Sequence, residues 1–275
     1  MTFNAIETSA RQGRKVFLYT WQRGEAVWRY TSANRNLVVN FQQFTWSAIE
    51  HDDLEQGGEI ERQNVGVTVP MLHPVALMFR AQSPADSVVL TIAEYHATDP
   101  DVQVRPLWSG RIVSVRWEPE ENSATITHSP TYASLARNGL RRKYQKNCPL
   151  VLYGYGCGVN REAFRLATTV GAITGLALTA SGIGAHPDGY WNGGFIEYVP
   201  ATGLLERIGI RSHTGGTVQL SRAAPNLATG MAVSVFPGCD RTTGANGCGK
   251  FGNLPNYGGF PNFPNKNPFG SNPVY

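Results

Sequence analysis

In the first half of the chain, apolar residues recur at every second position, the period of a strand with one buried face. Val65, Val67 and Val69 alternate with Gly66 and Thr68. Val88, Leu90 and Ile92 share one face, and Val113, Val115 and Trp117 alternate with Ser114 and Arg116. Phe17, Tyr19 and Trp21 line one face of an earlier strand whose other face holds Val16 and Leu18. Val27, Trp28 and Tyr30 resume the pattern after Arg23-Gly24-Glu25, which predicts a hairpin. Gly57-Gly58, Pro84-Ala85-Asp86 and residues 119–122 separate the runs. One short stretch, residues 132–138, reads as helix, with Thr131 or Ser129 near its cap and Gly139 behind it.

Near residue 140 the texture changes, because Arg137, Arg141, Arg142, Lys143 and Lys146 crowd one short segment. Strand patterns then return at residues 163–170, 176–180, 194–198, 204–212, 217–220 and 231–235. Pro187-Asp188-Gly189, Gly193-Gly194 and Thr214-Gly215-Gly216 mark turns between them. The pattern predicts a mainly β protein: an N-terminal β-rich domain over residues 1–140, a C-terminal β-rich domain over 141–249, and a tail over 250–275. The tail is made largely of Asn, Pro, Gly and six aromatics (Phe251, Tyr257, Phe260, Phe263, Phe269, Tyr275) and is nearly uncharged. Disordered segments are poor in aromatics, so this one is expected to lie extended over a protein surface, docked on neighbours.

Composition supports many turns and few long helices, since 30 Gly and 17 Pro occur in 275 residues and only 16% of positions are charged, against about 25% ordinarily. The net charge of +4 is small and looks scattered, which argues against a dedicated nucleic-acid binder with a strong basic stripe. The N-terminus has no basic segment followed by an apolar stretch, so folding in a reducing cytosol is expected. The most membrane-like segment, residues 170–185, is broken by four glycines. As a helix it would reach only about 24 Å, short of a roughly 30 Å hydrocarbon core, so no membrane span is expected.

The sharpest chemical feature is Cys148-x8-Cys157 followed, after 81 intervening residues, by Cys239-x8-Cys248. Two equally spaced pairs suggest one site, and in a cytosolic product patterned cysteines bind metal more often than they form disulfides. Zinc ribbons use tighter knuckles than these. The wide loops suit a bulkier centre such as a cubane iron-sulfur cluster, with zinc as the alternative and two disulfides as the plain structural reading. Gly156, Gly158, Gly238, Gly247 and Gly249 lie beside or near the cysteines, where backbone N–H groups can approach sulfur. The 141–146 basic run would favour thiolate at Cys148, although a solvated loop explains it equally well.

Catalytic signatures are absent from the pattern. The six histidines show no HExxH or related spacing, and the glycines form no phosphate-binding fingerprint. A Cys/His peptidase with Cys157 as nucleophile and His186 or His213 as base is the rival reading from another class.

Four strings carry a resemblance: Cys148-Pro-Leu-Val-Leu-Tyr-Gly-Tyr-Gly-Cys157-Gly, Gly238-Cys239-Asp-Arg-Thr, Cys248-Gly-Lys-Phe-Gly-Asn, and Asn256-Tyr-Gly-Gly-Phe-Pro261. With them the chain resembles the tail-tip or baseplate hub proteins of long-tailed, non-contractile bacteriophages and gene transfer agents. It is more distantly similar to tail tip protein L of phage lambda. The likeness is denser in the C-terminal half. In the N-terminal half it rests on the β pattern and on Trp108-Ser-Gly-Arg-Ile112 and Arg141-Arg-Lys-Tyr144.

The resemblance implies a non-enzymatic, structural virion component assembled in the host cytoplasm, with an N-terminal β-barrel or sandwich-like hub domain and a C-terminal iron-sulfur domain. It implies a homotrimeric ring at the tail tip between the distal tail protein and the central tip or fibre protein, around the end of the tape measure protein and on the path of ejected DNA. It also implies a [4Fe-4S] cluster on Cys148, Cys157, Cys239 and Cys248. That cluster would staple the tail to its domain; a zinc-stapled adaptor is the variant of the same reading.

Overall fold

The computed structural model describes residues 7–8, 13–54, 64–134 and 143–264. The chain separates into two compact units, residues 1–139 and 140–275.

The first unit is built on a nine-stranded sheet. Its strands are β1 (Lys15–Arg23), β2 (Ala26–Thr31), β3 (Leu37–Val39), β4 (Gln42–Trp46), β5 (Glu50–His51), β6 (Val65–Pro70), β7 (Val89–His96), β8 (Val104–Glu118) and β9 (Ser123–Pro130), with a four-residue helix, α1 (Pro74–Leu77), after β6. The order across the sheet is β3-β4-β2-β1-β7-β8-β9-β6-β5. All pairings are antiparallel except β2 with β4. The period-two segments all become strands, and the faces of Val65, Val67 and Val69 and of Val88, Leu90 and Ile92 are buried, whereas Val113 is exposed where the register shifts between Ile112 and Ser114 and its expected face-mates Val115 and Trp117 are partly buried. β1 is buried on both faces: Tyr19 and Trp21 enter one cluster with Val65, Val67, Leu90, Ile92 and Ile126, while Leu18 joins Val39, Phe44 and Ala93 in another. Arg23 pairs with Ala26 around a two-residue turn in which Gly24 takes φ +58°.

Two elements escape the hydrophobic pattern. The β3–β4 hairpin turns through Asn40 and Phe41, at φ +49° and +62°, where a two-residue hairpin of this hand ordinarily carries glycine at the second position. β9 buries Ala124, Ile126, His128 and Pro130 on alternate positions, and a histidine in that series hides the apolar period. Residues 131–134 form a 3₁₀ turn rather than the start of a helix, and the remainder of the predicted 132–138 helix falls outside the described residues.

The second unit is a closed six-stranded barrel in the order β10-β11-β14-β13-β12-β15. Its strands are β10 (Leu166–Thr174), β11 (Ala177–Ala180), β12 (Phe195–Tyr198), β13 (Glu206–Thr214), β14 (Thr217–Leu220) and β15 (Ala232–Phe236). The barrel expected of the first half is therefore found in the second. β10 is long enough to pair with β15 through residues 166–169 and with β11 through residues 170–174, with a register shift between Val170 and Ala172 where it changes partner. That shift bends the strand and closes the ring. Val170, Leu178, Ile196, Ile208, Val218 and Val235 fill the interior with Trp191, whose indole N–H donates to the Ile183 carbonyl at 3.2 Å. Among the described residues no helix is long and apolar enough to cross a membrane.

Two histidines are locked into the first unit's core. Trp21 Nε1 can only donate, and it lies 3.2 Å from His128 Nε2. The imidazole proton therefore sits on Nδ1, 3.3 Å from the Val65 carbonyl, and adding a second proton would set two donors against each other. His73 packs on Tyr30 and Trp21 with no hydrogen-bond acceptor for either ring nitrogen. Burial pushes both groups down to about 4, from an ordinary 6.5. Their folded-state pKa lies below the unfolded one, so stability is intact above about pH 6.5 and is lost as pH falls toward 4, by up to about 3 kcal/mol per histidine. Urea unfolding followed by tryptophan fluorescence should show the midpoint dropping between about pH 7 and about pH 4.5, and His73→Phe should remove about half of that slope.

Candidate functional site

The barrel's closing seam decides where the cysteines go. β10 and β15 run antiparallel with Leu166 opposite Val235, so the chain entering β10 and the chain leaving β15 meet at one end of the barrel. β15 also pairs with β12, Phe236 opposite Phe195, which brings residues 190–194 to the same end. The Cys148–Cys157 loop precedes the seam and the Cys239–Cys248 loop follows it. Two segments far apart in the sequence thus become neighbours.

The approach to β10 is fixed by polar contacts. Asn160 caps the 3₁₀ turn Arg161–Phe164 by accepting from the Glu162 N–H at 3.1 Å. Arg161 donates to both oxygens of buried Glu197 on β12, at 3.0 and 3.4 Å, and covers the Phe236 ring. Arg207 on β13 donates to the same carboxylate at 2.6 Å.

Around the cysteines the backbone is cross-tied. Cys148 N–H donates to the Arg241 carbonyl at 2.9 Å, and Cys248 N–H donates to the Thr242 carbonyl at 2.8 Å. Asn253 links two of them, since its Nδ2 donates to the Cys157 carbonyl at 2.6 Å while its N–H donates to the Cys248 carbonyl at 3.1 Å. Each remaining sulfur contact is a donor aimed at a thiol: Arg241 N–H to Cys239 at 3.3 Å, Gly258 N–H to Cys148 at 3.4 Å and Asn253 Nδ2 to Cys157 at 3.7 Å. Three cysteines are buried and Cys239 is half-buried.

This neighbourhood is not a metal centre. Among the described residues no group of three or more His, Cys, Asp or Glu side chains is arranged to hold a metal ion. No disulfide joins the cysteines either, and all four are free thiols. The expected [4Fe-4S] cluster on Cys148, Cys157, Cys239 and Cys248, and the zinc alternative, are therefore overturned. Burial, reinforced by the neighbouring cysteines, raises Cys239 and pushes Cys248 up to about 11, so both are protonated thiols. The adjacent glycines serve backbone packing. A side chain at Gly238 would collide with the backbone of residues 192–194, and one at Gly247 with the Thr242 carbonyl.

Other side chains, some of them in the strings the sequence already marked, hold the site together. Lys250 extends its ammonium to the Tyr190 and Gly238 carbonyls, at 2.6 and 2.8 Å, with the Tyr190 and Phe251 rings beneath it. Tyr153 adopts φ +62° and donates to the Pro237 carbonyl at 2.6 Å, its ring set edge-on to Phe195, Phe236 and Phe251. The Asn256-Tyr-Gly-Gly-Phe-Pro261 string is an anchor. Tyr257 donates to the Lys146 and Arg241 carbonyls, Gly259 leaves no room for a Cβ against Lys146, and Phe260 packs on Tyr144. Residues 250–260 thus make contacts within their own unit, and residues 265–275 lie outside the described residues. The rival Cys/His pair is not assembled: Cys157 faces Asn253, His186 stacks on Tyr190 at 4.0 Å, and buried His213 contacts the Gly215 carbonyl through Nε2.

Comparisons with known proteins bear on both units. Residues 189–267 match the family described as phage conserved hypothetical protein BR0599. An uncharacterized protein of Xylella fastidiosa (strain 9a5c) is 27% identical over 201 residues, covering 68% of this chain and 41% of that protein. The chain thus spans less than half the length of that relative. In fold, it is similar to a chain in the virion of a native gene transfer agent particle, with a TM-score of 0.77, 19% identity and coverage of 99% of this chain and 96% of that one.

Replacing Lys250 by Met keeps the stem and removes the donors, leaving two carbonyls unpaired. Chemical denaturation should show a loss of about 2 kcal/mol. Gly238→Ala forces backbone against backbone and should cost at least about 2 kcal/mol, read as a lowered thermal midpoint.

Proposed function

We propose that the protein is a structural component of a phage-type virion, a hub at the tail tip, rather than an enzyme. The observation that carries this reading is the whole-chain likeness in fold to a chain of a gene transfer agent virion, supported by the phage family match over residues 189–267. In this reading the chain assembles as a homotrimeric ring between the distal tail protein and the central tip or fibre protein. The ring surrounds the end of the tape measure protein, and ejected DNA passes through it.

The four-cysteine region then acts as a structural knot. Hydrogen bonds from Asn253 to Cys157, from Tyr257 to Lys146 and from Lys250 to Tyr190 tie the segment after Cys239 to the 146–157 loop and to the segment before β12, so that the surfaces presented there keep a fixed shape. Rigid presentation is what a ring component needs, because each subunit must offer the same patch to its neighbour. The exposed side chains Val151 and Tyr155, on the loop between Cys148 and Cys157, are suited to such contacts.

The reading is tested by adding a small epitope tag to the chain, purifying particles and locating the tag by electron microscopy. Label confined to the tip at three copies per particle, following the ring assignment, is the expected result. Label on the capsid, or particles lacking the chain, would sink it. Hydrolysis of peptidoglycan peptides by the purified chain, lost in Cys157→Ala, would instead favour the peptidase.

A further inference from the structure

The β3–β4 hairpin of the first unit leaves a cleft behind it. Val39 and Phe44 pack the hairpin against Leu18 and Ala93, on the face of the sheet opposite to Tyr19 and Trp21. Between hairpin and sheet an open cavity of about 320 Å³ remains, at the lower end of the range in which small molecules bind.

Its walls have a definite chemistry. The floor is apolar, because Leu18 on β1 lies opposite Ala93 on β7, with Phe44 and Pro106 beside them. Two residues along the same face Thr20 lies opposite Thr91, and neither hydroxyl has a hydrogen-bond partner among the described residues. Asn40 and Gln42 contribute from the hairpin. Arg29 Nε donates to Gln42 Oε1 at 3.1 Å, so the amide nitrogen is the end of Gln42 left to donate. None of the described residues that line the cavity is ionisable.

The hairpin turn carries backbone strain. Asn40 and Phe41 take φ +49° and +62°, and Phe41, between two residues that line the cavity, is fully exposed. Full exposure leaves that ring little to pack on within its own chain. Strained positions of this kind cluster at ligand clamps.

We infer that this cleft is a binding site for a neutral acetamido sugar, an N-acetylhexosamine. A charged ligand is disfavoured, since its charge would be desolvated with no ionic partner in the lining. A purely apolar ligand is disfavoured too, because it would cover the two threonine hydroxyls and the Gln42 amide without satisfying them. An N-acetylhexosamine answers both requirements. Its methyl group suits the apolar floor, its amide the paired threonines, its ring hydroxyls Asn40 and Gln42, and its C–H face the Phe41 ring.

Saturation-transfer difference NMR of the full-length protein with N-acetylglucosamine tests the site. The usual ligand efficiency for about 15 non-hydrogen atoms gives an expected dissociation constant of about 0.5 mM. The acetamido methyl should show the strongest saturation. Glucose, which lacks the acetamido group, should bind at least about tenfold more weakly. The variant T20V/T91V keeps the branched side chains, removes both hydroxyls and should weaken binding about tenfold. Phe41→Gly relieves the left-handed strain, so its thermal midpoint should equal or exceed that of the wild type while sugar binding falls about tenfold. Absence of wild-type binding, equal affinity for glucose, tighter binding of benzyl alcohol than of the sugar, or undiminished binding in both folded variants would overturn the inference. None of these outcomes depends on where the chain sits in a particle, so the hub reading and this site fail separately.

Discussion

The antiparallel pairing of β10 with β15 is the constraint from which the second unit follows. It closes the barrel, and it places the segment before β10 and the segment after β15 at one end. Neither cysteine-bearing loop is long enough to form a core of its own. Both are assembled on a platform that the strands have already closed. Loop closure over this separation is costly in chain entropy but grows only slowly with length, and the seam's hydrogen bonds and the barrel's buried core offset it.

What is built on that platform is a polar knot, whose order comes from satisfied donors and acceptors. Lys250, Asn253 and Tyr257 each bridge two separate segments, and each bridge ends on backbone carbonyls. Such a network is demanding, because losing one member leaves its partners desolvated and unpaired. Glycines make it sterically feasible: at Gly238 and Gly247 backbone packs directly on backbone, at distances where a Cβ has no room. The four thiols occupy this network as small, mostly buried groups, and three of them, Cys148, Cys157 and Cys239, receive hydrogen bonds. Their raised pKa values, where resolved, follow from that burial.

The first unit solves its packing differently. Its sheet buries aromatic and histidine rings together: Trp21 contacts Tyr19, Tyr30, His73 and His128, and His128 also meets Trp108. Neutral imidazole fits there as a flat, weakly polar filler, and the same placement makes the unit's stability depend on pH. The second unit keeps its arginines at the barrel surface, where Glu197 organises two of them. The two units therefore differ in what sustains them.

The period-two runs around Val65 and Val88 and the hairpin at Gly24 were legible because burying one face of a strand imposes its own alternation, wherever the strand lies in the fold; around Val113 the strand was legible but not its buried face, because the register shifts between Ile112 and Ser114. The turns at Gly189, Gly193 and Gly215 were legible for a similar local reason, since a left-handed backbone there selects glycine. β3, β4 and β9 were not, because Phe41 sits where glycine is usual and His128 breaks an apolar series, and both choices are repaid only by surroundings the local sequence does not contain. The spacing of the four cysteines did announce that two loops belong together. Whether their sulfurs would share an ion was decided by the tertiary structure, which sets the angle and separation at which the loops leave the β10–β15 seam and turns the thiols toward amide donors. Local pattern fixes which face of a strand is buried, but only the assembled fold determines which distant groups meet and in what geometry.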